Sequence, residues 1–313
     1  MFSPHVFTRT NMLTPVLQSQ KMHRKKTGSG LSMVIPVIGI MFVFYGFFLI
    51  FPIGYALAGS FFQWNPTRQI FHFIGTANYR DAFTFPLMWK SLLNSIYFAL
   101  VVVLVRTSLG LVFAVLINNV RYFRTFFRTV YFLPVVTSIV AVSLIWLNLL
   151  YSPAFGIFNQ ILRSIGLPAS NWLISPYSAM PSIMLMTVWK DTGYAVILYL
   201  AGLQGIPAQL MEAATIDGAG RFKIFRHITI PLLSNTTLIV LITSTISYLQ
   251  AFTQIMMLTQ GGPGTATYTM VYYLYNEAFT KYNFGYASAL SAILFVVILI
   301  FSLIQIKLNR RAD

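Results

Sequence analysis

The fold is decided by residues 31–62, which read LSMVIPVIGIMFVFYGFFLIFPIGYALAGSFF and carry no charge over 32 positions. The hydrocarbon core of a bilayer is about 30 Å thick, and a helix of roughly 20 apolar residues spans it. A signal peptide has an apolar region of only about 7–15 residues. The stretch is therefore predicted to be a retained spanning helix, although Ala56-Leu57-Ala58 imitates a cleavage site.

The composition of the whole chain agrees with a bilayer environment. Of its 313 residues, 57% are hydrophobic and 9% are charged, and the mean hydropathy is +0.72. Soluble domains have about 25% charged residues, so this chain could not cover a water-exposed surface. Its hydrophobicity excludes intrinsic disorder. The absence of cysteine excludes disulfides, thiol catalysis and Cys-ligated metals.

Further apolar stretches predict an all-α, polytopic membrane protein with six transmembrane helices. We assign helices to all of them, because a helix satisfies its own backbone polar groups in lipid. The predicted spans are 31–62, 92–117, 130–150, 179–203, 232–258 and 286–306.

The basic residues lie mainly on one side of these spans. Fourteen of the 21 Lys and Arg fall in the tails and in the loops after the second and fourth spans, and five fall on the other side. The positive-inside rule makes the first side cytoplasmic. The prediction is a cytoplasmic N-terminal tail, 1–30, a six-helix domain, 31–307, and a cytoplasmic C-terminal tail, 308–313. Topology explains the net charge of +15, and no nucleic-acid binding is expected.

The cytoplasmic segment 204–231, QGIPAQLMEAATIDGAGRFKIFRHITIP, predicts two short helices. Pro207 is tolerated in a first helical turn, and residues 208–216 are largely good helix formers. Gly218 and Gly220 supply a stop. A second helix is predicted over 222–228, closed by Pro231. The residues alone leave two interpretations open, a docking knob for a cytosolic partner or a connector that packs on its own bundle.

The same segment resembles the membrane subunits of binding-protein-dependent ABC importers. That family carries Glu-Ala-Ala, three residues, Gly, nine residues, Ile, one residue, Leu and Pro. The matching positions are Glu212, Ala213, Ala214, Gly218, Ile228 and Pro231, with Ile230 in place of Leu. The flanking sequences at 201–204 and 217–220, and Gly261-Gly262-Pro263, resemble the carbohydrate branch, which includes the maltose and glycerol-phosphate importers. The resemblance covers roughly residues 31–310.

The resemblance implies a type I ABC importer permease in the bacterial cytoplasmic membrane, and it makes 204–231 a coupling loop. Such a loop docks into a cleft of a cytosolic ATP-binding subunit. Glu212 would pair with a basic residue there, small side chains would allow close packing, and Gly218 would set the turn. The coupling residues so implied are Glu212, Ala213, Ala214, Asp217 and Gly218.

The resemblance also implies the partners of the chain. They are a second permease subunit, usually a different chain, two ATP-binding subunits that hold ATP and Mg²⁺, an external solute-binding protein, a saccharide of unspecified kind and membrane lipid. The chain itself has no Gly-x-x-x-x-Gly-Lys-Ser/Thr sequence and no His pair with metal-ligand spacing. We therefore expect no cofactor, metal or catalytic residue within it. A stand-alone secondary transporter or channel, and a non-transporting scaffold for an ATPase, are the alternative functions.

Polar residues within the spans are the candidates for the transport pathway. Arg106 could touch an anionic group of the substrate or form a structural pair. Lys190 and Asp191 point about 100° apart on a helix and need not bind each other. In the fifth span, Ser247, Gln250 and Gln254 share one stripe, which predicts either a watery path or interhelical hydrogen bonds. The predicted pathway residues are Tyr248, Gln250, Gln254, Ser247, Trp189 and Asn148.

Overall fold

The computed structural model describes residues 28–120 and 122–309. The predicted tails, 1–30 and 308–313, therefore lie outside the described residues except for residues 28–30, 308 and 309. The chain divides into two compact units, one up to Ile53 and one from Gly54 onward.

The described residues form fifteen α-helices, four π-helical turns and one hairpin, joined by turns and loops. The helices are α1 Gly28–Tyr45, α2 Phe51–Gly59, α3 Ala77–Thr84, α4 Pro86–Asn119, α5 Arg124–Val136, α6 Ile139–Ile145, α7 Ile157–Ser164, α8 Ala179–Gln204, α9 Ala208–Ile216, α10 Arg221–Ile224, α11 Ile230–Leu232, α12 Ser234–Leu249, α13 Thr253–Leu258, α14 Met270–Tyr275 and α15 Phe284–Asn309. The π-helical turns are Gly46–Ile50, Trp146–Leu150, Phe225–Thr229 and Asn276–Thr280.

The predicted all-α class is confirmed apart from a short antiparallel hairpin, β1 Phe62–Asn65 and β2 Ile70–Phe73. Its strands are rich in aromatic residues, which fit a pleated, half-buried surface. Phe62 stacks on Phe71 with ring centroids 4.5 Å apart. The side-chain amide of Asn78 donates a 2.9 Å hydrogen bond to the carbonyl of Phe62, which ties the hairpin to α3.

Four helical segments are long and apolar enough to cross a membrane, and two bent helix pairs raise the number to six. The four are Ile35–Gly59, Pro86–Asn119, Ala179–Gln204 and Phe284–Asn309. The pairs are Thr125–Val136 with Ile139–Leu150, bent by 93°, and Arg221–Leu232 with Ser234–Leu249, bent by 63°. Six crossings, as predicted, result when each bent pair forms one span.

The predicted limits of the fifth span were wrong. Its helix α12 ends at Leu249, the chain departs from helical geometry over residues 250–252, and α13 is a separate helix. The carbonyl of Ala251, which the break frees, accepts a 2.9 Å hydrogen bond from the hydroxyl of Thr269. A broken backbone is tolerated within a membrane protein where its polar groups find such partners.

Helix α8 is the most deeply buried of the four long helices. Of the 18 most apolar consecutive residues of α8, 67% are buried, compared with 33% for the corresponding residues of α4 and of α15. Glycines allow its backbone to approach its neighbours. A Cβ on Gly110 of α4 would lie 2.6 Å from the Cβ of Ala195, and a Cβ on Gly193 would collide with the carbonyl oxygen of Tyr131 in α5. Small residues at such crossings are how helices associate in lipid, where no hydrophobic effect drives them together.

We predict that Gly193→Ala destabilises the chain. An Ala in place of Gly within a helix ordinarily stabilises it by about 0.5–1 kcal/mol, but here the backbone of α5 must move, at a cost of about 1–3 kcal/mol. Thermal unfolding of the purified chain in detergent measures the difference. Gly54→Ala is the control, since a Cβ there meets nothing within 4 Å and should leave the midpoint unchanged or higher. Equal midpoints for both variants would refute the close α5–α8 contact.

Candidate functional site

The first part of the site is helix α9 in the segment 204–231. It spans Ala208–Ile216, as predicted from Pro207 and the following helix formers. Gly218 has a φ of +74°, and the N–H of Ala219 donates a 2.9 Å hydrogen bond to the carbonyl of Ala214. A left-handed residue with this bond ends a helix. The predicted turn at Gly218 is therefore confirmed, and glycine is suited to it because it lacks a Cβ.

One face of α9 points away from the rest of the chain. Met211 and Thr215 line a cavity together with Arg221 and Phe225, so this side faces the bundle. Met211 and Thr215 are four residues apart and therefore lie on the same side of the helix. The remaining surface carries predicted coupling residues. Glu212, Ala213, Asp217 and Gly218 are exposed, and Ala214 is half-buried.

This outer surface also carries apolar side chains. Ile216 is 86% exposed and Phe222, just beyond the turn, is 77% exposed. Large apolar groups on a segment outside the predicted spans, beside a carboxylate, favour contact with another protein. The connector interpretation explains the inner stripe of α9 and leaves this outer surface without a role.

The second predicted helix of the segment is longer than expected. It was predicted to end before Pro231, but helical structure runs from Arg221 through a π-helical turn to Leu232. Pro231 lies in the first turn of α11, where the missing N–H costs little. The bend comes two residues after Pro231, at Leu233, before α12 begins.

The second part of the site is a polar cluster between α4, α5, α8 and α12. Lys190 forms an ion pair with Asp191, Nζ to Oδ1 3.4 Å, and donates a 3.2 Å hydrogen bond to the carbonyl of Val135. Tyr248 Oη donates to Asp191 Oδ2 over 3.0 Å. Both carboxylate oxygens of Asp191 are thus occupied. The spacing of Lys190 and Asp191 on the helix did not require them to bind each other, but the long lysine side chain bends back to its neighbour.

Arg106 is the other cation of the cluster. Its Nε donates a 3.0 Å hydrogen bond to the backbone carbonyl of Asp191, and Nη1 donates a 2.6 Å bond to the hydroxyl of Ser244. Its guanidinium carbon lies 5.4 Å from the ring centre of Tyr194 and 5.5 Å from that of Tyr248. These cation–π contacts and hydrogen bonds fix the side chain among α4, α8 and α12.

The cluster borders a cavity of about 240 Å³. Six of its seven lining residues have a polar side chain, and Val135 is the one aliphatic member of the set. The lining residues are Arg106, Val135, Asp191, Tyr194, Thr243, Ser247 and Tyr248. Two of the predicted pathway residues, Tyr248 and Ser247, are therefore brought together here. Tyr194 and Thr243 were missed. The available signal was spacing, because Tyr194 follows Asp191 by three residues and Thr243 precedes Ser247 by four.

The other predicted pathway residues are dispersed. Trp189 is half exposed and lines a separate, mainly apolar cavity of about 680 Å³ between α4, α5, α6 and α8. Asn148 is exposed and donates a 2.9 Å hydrogen bond within its own helical segment, to Leu144. Gln250 is exposed, whereas Gln254 is buried in α13. The stripe predicted for Ser247, Gln250 and Gln254 does not exist, because the helix breaks between its members.

Metal binding finds no support in the part of the chain that the structure describes. Within residues 28–120 and 122–309, no group of three or more His, Asp or Glu side chains is placed to hold a metal ion. The chemistry of the site is therefore that of hydrogen bonds, cation–π contacts and one paired carboxylate.

Comparisons with known proteins bear on both parts of the site. A family model described as the inner membrane component of binding-protein-dependent transport systems matches residues 106–313. A probable ABC transporter permease protein of Pyrococcus horikoshii is 35% identical over 257 residues, which are 82% of this chain and 88% of that protein. The trehalose/maltose transport system permease protein of Thermococcus litoralis is 34% identical over 302 residues, 93% of this chain and 97% of that protein.

A solved structure extends the likeness to the fold. One chain of a bacterial alginate ABC transporter, crystallised in complex with an alginate pentasaccharide-bound periplasmic protein, superimposes with a TM-score of 0.77. The two chains are 25% identical, and the match covers 91% of this chain and 94% of the other. Both the polar cluster and the segment around α9 lie within the family match.

We predict that Asp191→Asn lowers the stability of the chain. Lys190 is nine-tenths buried, and removal of one partner from a buried ion pair costs about 3 kcal/mol or more. Thermal unfolding in detergent measures the loss. The double variant Lys190→Met with Asp191→Asn should recover most of it, because the buried lysine charge is then removed together with its partner. Additive effects of the two substitutions would contradict the pairing.

Proposed function

The chain belongs to the family of inner-membrane components of binding-protein-dependent transport systems and is a permease subunit of an ABC importer, and we propose that its cargo is a saccharide. The trehalose/maltose permease matches nearly end to end, and the alginate transporter shares the fold. The observation that carries the functional assignment is helix α9. It presents the Glu-Ala-Ala motif on an exposed surface between two spans and is closed by a left-handed Gly218.

In this proposal α9 is the contact with the motor. The exposed surface of Glu212, Ala213, Ile216 and Phe222 docks into a cleft on a cytosolic ATP-binding subunit. Glu212 pairs with a basic residue of that subunit, and Ala213 lets the two backbones approach. ATP and Mg²⁺ bind to two such subunits, since this chain has no P-loop sequence. Their closure on ATP moves α9 and switches the pore between its inward and outward forms.

The polar cavity and the neighbouring apolar cavity form this chain's half of the pathway. Saccharides offer C–H faces to aromatic rings and hydroxyls to polar groups, and their sites combine both kinds of contact. Tyr248 and Ser247 line the polar cavity, and Trp189 offers a half-exposed ring in the apolar one. Gln250 and Asn148 are exposed, so that they can face a second permease subunit across the pore. Gln254 is buried in α13, and in this proposal it stabilises the wall of the pathway without touching the saccharide.

The remaining partners and the orientation complete the proposal. Fourteen basic residues lie on the α9 side of the predicted spans, which makes that side cytoplasmic under the positive-inside rule. Both termini then lie in the cytoplasm. The hairpin and the loops at the opposite ends of the spans receive an external binding protein that delivers the saccharide.

We predict that Glu212→Lys uncouples the transporter. Loss of one partner of an interface charge pair costs about 2–5 kcal/mol, so ATP-dependent uptake into proteoliposomes that contain the whole complex should fall at least about tenfold. Gln204→Lys is the control, because it places the same charge at the exposed end of α8, outside α9. Unchanged uptake in Glu212→Lys would refute the coupling role. Uptake by the chain alone without ATP would instead identify a secondary transporter or channel.

We predict that Trp189→Ala weakens transport without affecting ATP hydrolysis in the absence of sugar. An aromatic contact contributes about 1 kcal/mol, which corresponds to about a fivefold lower uptake at limiting sugar. Trp89→Ala is the control, since Trp89 is also about half exposed, at 47%, but lies in the first turn of α4. If both variants transport at the same rate, Trp189 does not line the pathway.

A further inference from the structure

Charge is unbalanced at the centre of the spans. The chain has six acidic residues, and Asp191 is the one that falls within the predicted spans, where Arg106 and Lys190 are both cationic. The pair Lys190–Asp191 is neutral as a unit. Within residues 28–120 and 122–309, Arg106 forms no ion pair with a carboxylate. One positive charge is therefore left over among α4, α8 and α12.

The unbalanced charge is held rigidly. Arg106 is 5% exposed, lies near two tyrosine rings and is bound by a backbone carbonyl and a hydroxyl. A guanidinium has five N–H donors, and within the described residues two of its nitrogens, Nε and Nη1, find acceptors. The other N–H groups of Arg106 are on a side chain that lines the polar cavity, so they are placed to donate to a bound molecule.

The rest of the cavity does not cancel this charge. The hydroxyls of Thr243 and Ser247 donate to carbonyls of their own helix, and Asp191 is already shared between Lys190 and Tyr248. An ionised group at membrane depth is costly unless it pairs or faces water, and it marks substrate pathways by default. A guanidinium is also well suited to carboxylate, sulfate and phosphate oxygens, which it can bind through two parallel hydrogen bonds.

We propose that Arg106 makes the cavity selective for a saccharide that carries an anionic group, a carboxylate, sulfate or phosphate. The inference deepens the proposed function and rests on it for the saccharide nature of the cargo. Arg106 is then a specificity-determining residue. Its hydrogen bonds to α8 and α12 position the guanidinium, and its free donors take the anionic group, while hydroxyl groups of the sugar meet Tyr194 and Ser247.

Labelling with charged thiol reagents tests whether the electrostatic potential in the cavity is positive, and it requires no knowledge of the cargo. The chain has no cysteine, so Ser247→Cys places a single thiol of this chain at the cavity wall. The purified complex is treated with negatively charged sulfonatoethyl or positively charged trimethylammonioethyl methanethiosulfonate, and modification is followed by mass spectrometry of this chain. The ratio of the two rates cancels any effect of Arg106 on the thiol itself, since both reagents attack the same thiolate.

The anionic reagent should react faster, and Arg106→Gln should lower its advantage by at least about tenfold, as expected for one charge at short range. Arg106→Lys should keep the advantage. Thr243→Asp neutralises the cavity without removing Arg106 and should also lower it, which guards against misfolding of Arg106→Gln. Tyr177→Cys, at a residue that is 92% exposed, should show no dependence on Arg106.

Two results would overturn the proposal: no labelling at Ser247→Cys, or a ratio of the two rates that changes neither with Arg106→Gln nor with Thr243→Asp. The second result would show that a partner subunit balances the charge.

The identity of the cargo separates this inference from the proposed function. Solutes that accumulate by ATP-dependent uptake into cells with the complex, and not into cells without this chain, are identified by mass spectrometry. A carboxylated, sulfated or phosphorylated saccharide supports both proposals. A neutral saccharide overturns the charge selectivity and keeps the proposed function. An anionic solute that is not a saccharide keeps the charge selectivity and refutes the saccharide cargo.

Discussion

The structure depends on the deep burial of helix α8, whose side chains pack in two apolar clusters and whose backbone comes close to neighbouring helices at glycines. In lipid the helices gain little from burial of apolar surface, so contact must come from van der Waals packing and polar groups. Gly193 of α8 meets a carbonyl of α5, and Ala195 meets Gly110 of α4. Lys190 and Asp191 lie on the same buried helix, where they contact Val135 of α5, Arg106 of α4 and Tyr248 of α12. The polar cluster is a consequence of this packing.

Much of the architecture could be predicted from the sequence, because hydropathy reports how long a segment stays in lipid. The predicted spans 92–117, 179–203 and 286–306 each fall within one unbroken helix, and the helix 208–216 was predicted correctly. Pro207 and Gly218 act locally, and local chemistry is visible in a sequence. The bends were not predictable, since a bent helix has the same composition as a straight one. The break at 250–252 depends on Thr269, which lies outside the predicted span and supplies the hydrogen bond that makes the break tolerable.

In the candidate site, too, local features were predictable from the sequence and contacts between distant residues were not. Tyr248 and Ser247 were predicted because polar residues in an apolar span stand out, and both line the polar cavity. Their stripe with Gln250 and Gln254 assumed a continuous helix, and it failed with the break. Nothing in the sequence indicated that Arg106 would bind a backbone carbonyl of α8 and a hydroxyl of α12, because both contacts join residues more than 80 positions apart. Helix periodicity describes one element, whereas a site between four elements depends on their packing.

The two parts of the site are joined by the chain itself. Helix α9 follows α8 after the short connection at 205–207, and α10, the π-helical turn and α11 lead from its other end into α12. The two helices that receive α9 are the ones that hold Asp191 on one side and Ser244 and Tyr248 on the other. Arg106 bonds to both helices, so its environment depends on their separation. Helix α9 is thus joined to both sides of the cluster by short connections, at 205–207 towards α8 and at 217–220 towards α10, with a bend at Leu233 before α12. If the proposed roles of α9 and Arg106 hold, the contact with the motor and the contact with the cargo are linked through the same two helices, α8 and α12.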